Sequence, residues 1–161
     1  LYTVRKGVRA DYPKRFDSKG KPAFTNIEPS IDGRLKVDVS VDYPGIGCLR
    51  EIFTFPDDEL FDEISKVRTI GVSGTDYWLA RFCKMFGWPH FNAINWPRLH
   101  KNNDEMLKKI VGHRALDILG ALSLLCRDGI FVASVRSHCS GHKADFDVVQ
   151  LADRVLIPRN L

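Results

Sequence analysis

Arg34–Tyr43 reads RLKVDVSVDY, and Cys48–Phe55, a few residues on, reads CLREIFTF. In the first stretch Leu35, Val37, Val39 and Val41 alternate with Lys36, Asp38, Ser40 and Asp42. A period of two places one apolar row on a single face of a strand, so this is a strand with one side in a core. Pro44-Gly45-Ile46-Gly47 supplies turn residues, and Cys48–Phe55 is then the antiparallel return. The pair predicts a hairpin.

Working outward, the pattern changes from period two to helical spacing. Pro56-Asp57-Asp58-Glu59 has the acidic first turn that the helix dipole favours, and Leu60, Phe61, Ile64 and Val67 follow at helical intervals. Thr69 to Val72 predicts a short strand, Thr75 caps a second helix through Phe86, and Phe91–Asn95 predicts another short strand. The longest helix is predicted from Asn103 to Cys126, with Met106, Leu107, Ile110, Leu116, Leu119, Leu122 and Leu125 as its apolar stripe. Arg127-Asp128-Gly129 stops it; Ile130–Val135 predicts a buried strand and Asp145–Leu156 a last helix. Strands come first as a group and then alternate with helices. The expected fold class is therefore α+β, a two-layer sandwich of a mainly antiparallel sheet packed on helices.

Composition sets the bounds. The chain has 161 residues, 44% hydrophobic and 27% charged, which is one domain with enough apolar material for a core. The longest apolar run, Ile118–Cys126, is broken by Gly120 and Ser123, far short of the ~20 residues of a membrane span. Cys48, Cys83, Cys126 and Cys139 have no CxxC spacing, which argues against a disulfide framework and for a reducing compartment. That compartment is the cytoplasm of a bacterium, or an organelle matrix (mitochondrion or plastid) of a eukaryote. Leu1 rather than Met opens the sequence, so either an upstream segment was removed or the chain starts inside a longer protein.

Net charge is +4, unevenly spread: residues 1–36 hold nine Lys or Arg against four Asp or Glu. This basic N-terminal segment, with Arg5, Lys6, Arg9, Lys14 and Arg15, is a candidate contact for RNA phosphates or an acidic protein partner; its plain alternative is solvated surface.

Two clusters could carry chemistry. His113 and Asp117 stand four apart on the long helix and so share one face, where an imidazole and a carboxylate can hold one metal ion. The bland alternative is a surface ion pair. The second cluster is Ser137-His138-Cys139-Ser140-Gly141-His142, read as a tight loop after the strand over 130–135. Its bland alternative is a polar turn with incidental histidines. Gly45-Ile46-Gly47 and Gly71-Val72-Ser73-Gly74 match no phosphate-loop spacing, and Trp78, Trp88 and Trp96 read as core or interface aromatics.

Four segments in order resemble one family, the UDP-3-O-acyl-N-acetylglucosamine deacetylases, zinc amidases of lipid A biosynthesis, in their second domain. Val67-Arg68-Thr69-Ile70-Gly71 resembles the family's ART-F-G segment, and Phe91-Asn92-Ala93-Ile94 its DNAIV strand. The run from His113 to Gly120 resembles HKxLDxxGD, and Ser140-Gly141-His142 the SGHALN turn. The resemblance implies that His113 and Asp117 are two of three zinc ligands. It implies that Thr69 hydrogen-bonds the tetrahedral oxyanion and that His142 is the imidazole stabilising charge or protonating the leaving amine.

There are departures. The family's third ligand, a His, and its Glu base come from a first domain that this chain does not contain. Ala121 stands where an acidic residue supports the catalytic His, Cys139 where a Lys precedes the SGH turn, and Arg114 where a Lys follows the zinc His. A local third ligand from Cys139 or His138 is a further option. Two functional expectations follow: a deacetylase-like domain, non-catalytic alone, serving as a structural or interaction subunit, or one part of a zinc-dependent deacetylase.

Overall fold

The computed structural model describes residues 1–43, 47–56, 70–71, 94–95, 104–125 and 129–159. The strands are β1 (Tyr2–Val4), β2 (Val8–Phe16), β3 (Pro22–Pro29), β4 (Leu35–Tyr43), β5 (Gly47–Phe55), β6 (Ile70–Gly71), β7 (Ile94–Asn95), β8 (Ala133–His138) and β9 (Leu156–Pro158). Helix α1 spans Asp104–Leu122 and runs into a 3-10 turn, Ser123–Leu125; helix α2 spans His142–Asp153.

Five strands form the main sheet in the order β2-β3-β8-β4-β5. All its pairs are antiparallel except β4 with β8. The predicted hairpin is β4–β5, in unbroken register from Leu35 opposite Phe55 to Tyr43 opposite Gly47. The parallel β4–β8 pair needs a crossover, and α1 lies within it. β1 pairs β9 antiparallel, and β6 pairs β7 parallel. The fold is thus α+β, sheet on helices. No helix among the described residues is long and apolar enough to cross a membrane.

The alternating row does what its pattern requires. Val37, Val39 and Val41 are buried in the core with Ile27 on β3, Val135 on β8 and Phe53 on β5. At about 25 cal/mol per Å² of apolar surface removed from water, burial of this row stabilises the central sheet. α1 meets it with Ile110, Val111, Ala115, Ile118, Ala121 and Leu122, spaced at three, four and seven as a helix face demands. Leu116 and Leu119, placed in the apolar stripe from sequence, pack only partly buried at its border. α1 packs on β4, β5 and α2, and α2 packs on β2 and β3.

The even-numbered residues of β4 and β8 point the other way, to a face that no helix among the described residues covers. There Asp38, opposite Ile52 in register, accepts hydrogen bonds from Arg50 (2.6 and 2.8 Å) and Arg136 (3.0 Å). Burial pushes the Asp38 carboxyl up, but these two guanidinium groups outweigh it and hold the carboxyl below its ordinary range. Lys36 does the same for Asp32, lowering it to about 2. A lowered folded-state pKa contributes stability above the unfolded value, lost as pH falls through the folded one. Urea midpoints are therefore expected to fall between about pH 5 and pH 2, with a shallower fall for Asp38→Asn. An unchanged pH profile in that variant would show that Asp38 is not part of the cause.

Three sequence-based boundaries need correction. The strand expected at Ile130–Val135 is Ala133–His138; Ile130 is exposed, and Phe131 makes an isolated bridge to Tyr2. The strand continues through two polar residues because both are satisfied: Ser137 by Ser140, His138 by Ser40 and Asp17. The last helix begins at His142, not Asp145, since the Asp145 N–H already closes a turn on the Gly141 carbonyl. It stops at Asp153, and Leu156–Pro158 turns out to pair with β1. The basic N-terminal segment is no loose arm. Residues 1–36 form β1, β2, β3 and the start of β4. The expected helices starting at Asp57 and Thr75, Thr69, the tryptophans, His90, His100, Cys83 and Cys126 lie outside the described residues.

Candidate functional site

α1 and the first turn of α2 bring two sequence-nominated imidazoles, His113 and His142, to a third nominated side chain, the Asp117 carboxylate. His113 Nε2 lies 3.9 Å from Asp117 Oδ1, and His142 Nε2 lies 3.9 Å from Asp117 Oδ2. The helical spacing of four sets the first pair; the second depends on the turn before α2. Cys139 has a positive φ of 47°, a conformation that side chains rarely adopt, and its N–H donates to the Ser40 carbonyl at 2.8 Å. That bond fixes the turn to the end of β4, and extended Gly141 then starts the helix with His142 toward α1. Asp117 is mostly shielded, and His142 is largely exposed.

A fourth group joins them. Arg114 Nη1 is 3.5 Å from Asp117 Oδ2, while Nη2 donates to Asp145 Oδ2 and to Ser140 Oγ at 2.8 Å. Arg114 is only 8% exposed and Asp145 1%. Thr25 Oγ1 on β3 lies 2.9 Å from Asp145 Oδ1 and 2.8 Å from Ser140 Oγ, which in turn is 2.7 Å from Ser137 Oγ. The result is a buried ion pair set in hydroxyls that joins α1, α2, β3 and β8. Nε and Nη1 of Arg114 are buried without a hydrogen bond. Charged N–H groups in that state are costly, so the pair with Asp145 carries the burden of keeping this guanidinium inside.

Sequence reasoning noted Arg114 as a Lys replacement and missed its partner. The signal was there: aligned on the SGHALN turn, Asp145 falls where that motif has Asn. A new carboxylate and a stiffer, always charged cation are matched to each other here.

The donors were tested for a metal. His113 and Asp117 are a suitable imidazole–carboxylate pair, but structural and catalytic zinc sites need at least three protein ligands. Among the described residues no group of three or more His, Cys, Asp or Glu side chains is placed to hold a metal ion. The local third-ligand option fails on geometry. His138 uses Nδ1 on Ser40 Oγ (2.8 Å) and Nε2 on Asp17 Oδ2 (3.1 Å), on the sheet face away from the helices. The Cys139 thiol is buried, where burial pushes it up to about 11, and among the described residues it belongs to no group of three donors placed to hold a metal ion. The chain's described residues thus supply part of a zinc site, and no chemical step is derived through zinc.

The basic residues nominated for a partner do not form one patch. Arg9 lies 4.0 Å over the Phe24 ring and bonds Asp11 at 2.7 Å, on the open sheet face. Arg15 sits at the start of α2, where a Cβ on Gly141 would meet its Nη1 at 3.7 Å. The backbone N–H of Arg5 pairs with the Val155 carbonyl, and the side chains of Lys6 and Lys14 are exposed.

The sequence model of the UDP-3-O-acyl N-acetylglycosamine deacetylase family matches residues 4–153. The chain belongs to this deacetylase family. It is 28% identical over 131 residues to the UDP-3-O-acyl-N-acetylglucosamine deacetylase of Nautilia profundicola, covering 80% of this chain and 44% of that protein. This member of the deacetylase family therefore spans less than half the length of the curated relative it matches. Within it, His113, Asp117 and His142 converge, and Thr69 lies outside the described residues.

Proposed function

We propose that this chain is a deacetylase-like domain that does not hydrolyse amides by itself and serves as a structural or interaction subunit of a larger assembly. The observation that carries this reading is the environment of Asp117. Its carboxylate is met by Arg114 from a buried ion pair, while the chain's own residues bring one His and one Asp as metal donors. By the family resemblance, the remaining His ligand and the Glu base belong to the family's first domain. Ala121 is buried in the core where a supporting carboxylate is expected, so His142 has no such partner from that position. A fold outlasts its chemistry because core packing and site geometry are separate requirements.

The second reading is one part of a zinc-dependent deacetylase completed by another chain or segment. The convergence of His113 and His142 on opposite oxygens of Asp117 favours it. There, zinc would polarise the amide carbonyl and activate water when bound. His113 and Asp117 would hold it, and His142 would hold a proton for the leaving amine.

Metal content of the purified chain, with His113→Ala and Asp117→Ala beside it, separates the two. Well under one zinc per chain, unchanged in both variants, and no acetate released from a UDP-3-O-acyl-N-acetylglucosamine is the expected result. Stoichiometric zinc lost in both variants would favour the second reading, and acetate release by the chain alone would overturn the first.

A further inference from the structure

The sheet face turned away from α1 and α2 holds a second set of reactive side chains, apart from Asp117. Ser40 on β4 stands opposite His138 on β8 in register, and its Oγ lies 2.8 Å from His138 Nδ1. His138 Nε2 in turn lies 3.1 Å from Asp17 Oδ2. Asp17 belongs to the β2–β3 turn, residues 17–21, which straps the end of β8 and reaches β4, where the Ser18 N–H donates to Asp42 Oδ2 at 2.7 Å. A hydroxyl, an imidazole and a carboxylate thus stand in line, drawn from segments up to 121 residues apart. The same order activates a serine on several unrelated folds, where geometry and not sequence position identifies it.

Each member is held in its role. Asp17 Oδ1 accepts the Lys21 and Lys19 N–H groups at 2.7 and 2.9 Å. Those bonds, Lys21's foremost, outweigh burial and keep the carboxyl below its ordinary range, so it faces His138 ionised. A carboxylate at Nε2 places the ring hydrogen there and leaves Nδ1 as an acceptor. The Ser40 hydroxyl donates to Nδ1; its other acceptor, the Ser137 carbonyl, is farther away at 3.3 Å. Phe24 packs beside the imidazole, with ring centres 5.7 Å apart. Asp38 and Asp42, which flank Ser40, are already engaged, by Arg50 with Arg136 and by Ser18. On the β5 side, Arg50 is opposite Ser40 in register and 57% exposed, and Ile52 on the same face is 59% exposed. Ser40 itself is 9% exposed, and this is the side from which a small molecule meets it.

We infer that Ser40, His138 and Asp17 form an acyl-transfer site whose substrates are small activated esters. Ser40 Oγ bonds to the ester carbonyl carbon as its proton passes to His138 Nδ1. The charge that develops on the carbonyl oxygen faces the Arg50 guanidinium. The ester C–O bond then breaks, and the leaving oxygen takes the proton from Nδ1, giving an alcohol and acyl-Ser40. Water repeats the sequence: its proton goes to Nδ1, its oxygen displaces Ser40 Oγ, Oγ recovers a proton, and a carboxylic acid leaves. Nδ1 adjoins the histidine's own Cβ, which crowds bulky acyl groups. Asp17 is a positioning residue, acting through the tautomer of His138. The site goes beyond the role proposed above, which concerns amides and the Asp117 side of the sheet.

The whole chain treated with p-nitrophenyl acetate, with acetylated positions mapped by peptide mass spectrometry, tests this. The expected result is an acetyl group on Ser40 ahead of every other serine, with p-nitrophenolate release that drops in Ser40→Ala. In Asp17→Asn, acetylation of Ser40 is expected to slow at least roughly tenfold, while surface lysines in the same sample react as before. Acetyl groups on lysines without Ser40, or Ser40 acetylation undiminished in Asp17→Asn, would overturn the inference. The wild-type map decides it even if the variant does not fold.

Discussion

Asp145→Ala is expected to cost the fold roughly 3–5 kcal/mol, the range for removing one partner of a buried ion pair. The reason lies in what stays behind. Arg114 remains enclosed between α1, α2 and the sheet, its Nε and Nη1 already without hydrogen bonds, and the change strips the carboxylate from Nη2. Thr25 and Ser140 lose an acceptor in the same step. Urea denaturation gives the number directly, and a loss under about 1 kcal/mol would mean that Arg114 swings out to water instead. The double variant Arg114→Met with Asp145→Leu separates charge from packing. It is expected to recover most of the loss, because a buried pair often contributes little beyond what apolar groups of similar volume supply. Recovery would also bear on function. A site region whose charges can be exchanged for apolar side chains is serving as a structural joint, as the non-catalytic reading requires.

Ile27→Ala is expected to cost about 2–5 kcal/mol, the usual range for a fully buried large-to-small change. Ile27 is 0% exposed and sits in β3, opposite Val8 on β2 and Val135 on β8. It therefore fills the core at the junction of three strands beneath the helices. Its removal leaves a cavity that the paired strands on both sides prevent from collapsing. The urea midpoint is expected to drop with an unchanged slope, as for a stability change without a change of unfolded state. A drop of less than about 1 kcal/mol would show that the sheet closes over the gap.

The hairpin was legible because period two and turn residues are local signals: Val37, Val39 and Val41 could face the core in only one way. The long helix was legible for the same reason, and His113 with Asp117 followed from helical spacing alone. Boundaries near the site were less so. Ser137 and His138 look like loop residues, and only their partners, Ser140, Ser40 and Asp17, explain why they continue β8. These partners are up to 121 residues away in sequence. The strands of the basic segment were also less legible: among its charges, the apolar positions Val8, Ala10 and Ile27 face the core from β2 and β3.

By itself the sequence determined the α+β class, the β4–β5 hairpin, the helix carrying His113 and Asp117, and the family, since each is written in spacing along a continuous stretch. Tertiary structure decided that Arg114 meets Asp145, that His142 reaches Asp117, and that a turn of β2–β3 straps His138. Those contacts join groups brought together by strand order and chain reversal. Whether a buried charge is tolerable depends on which partner the fold delivers to it, and no local pattern encodes that.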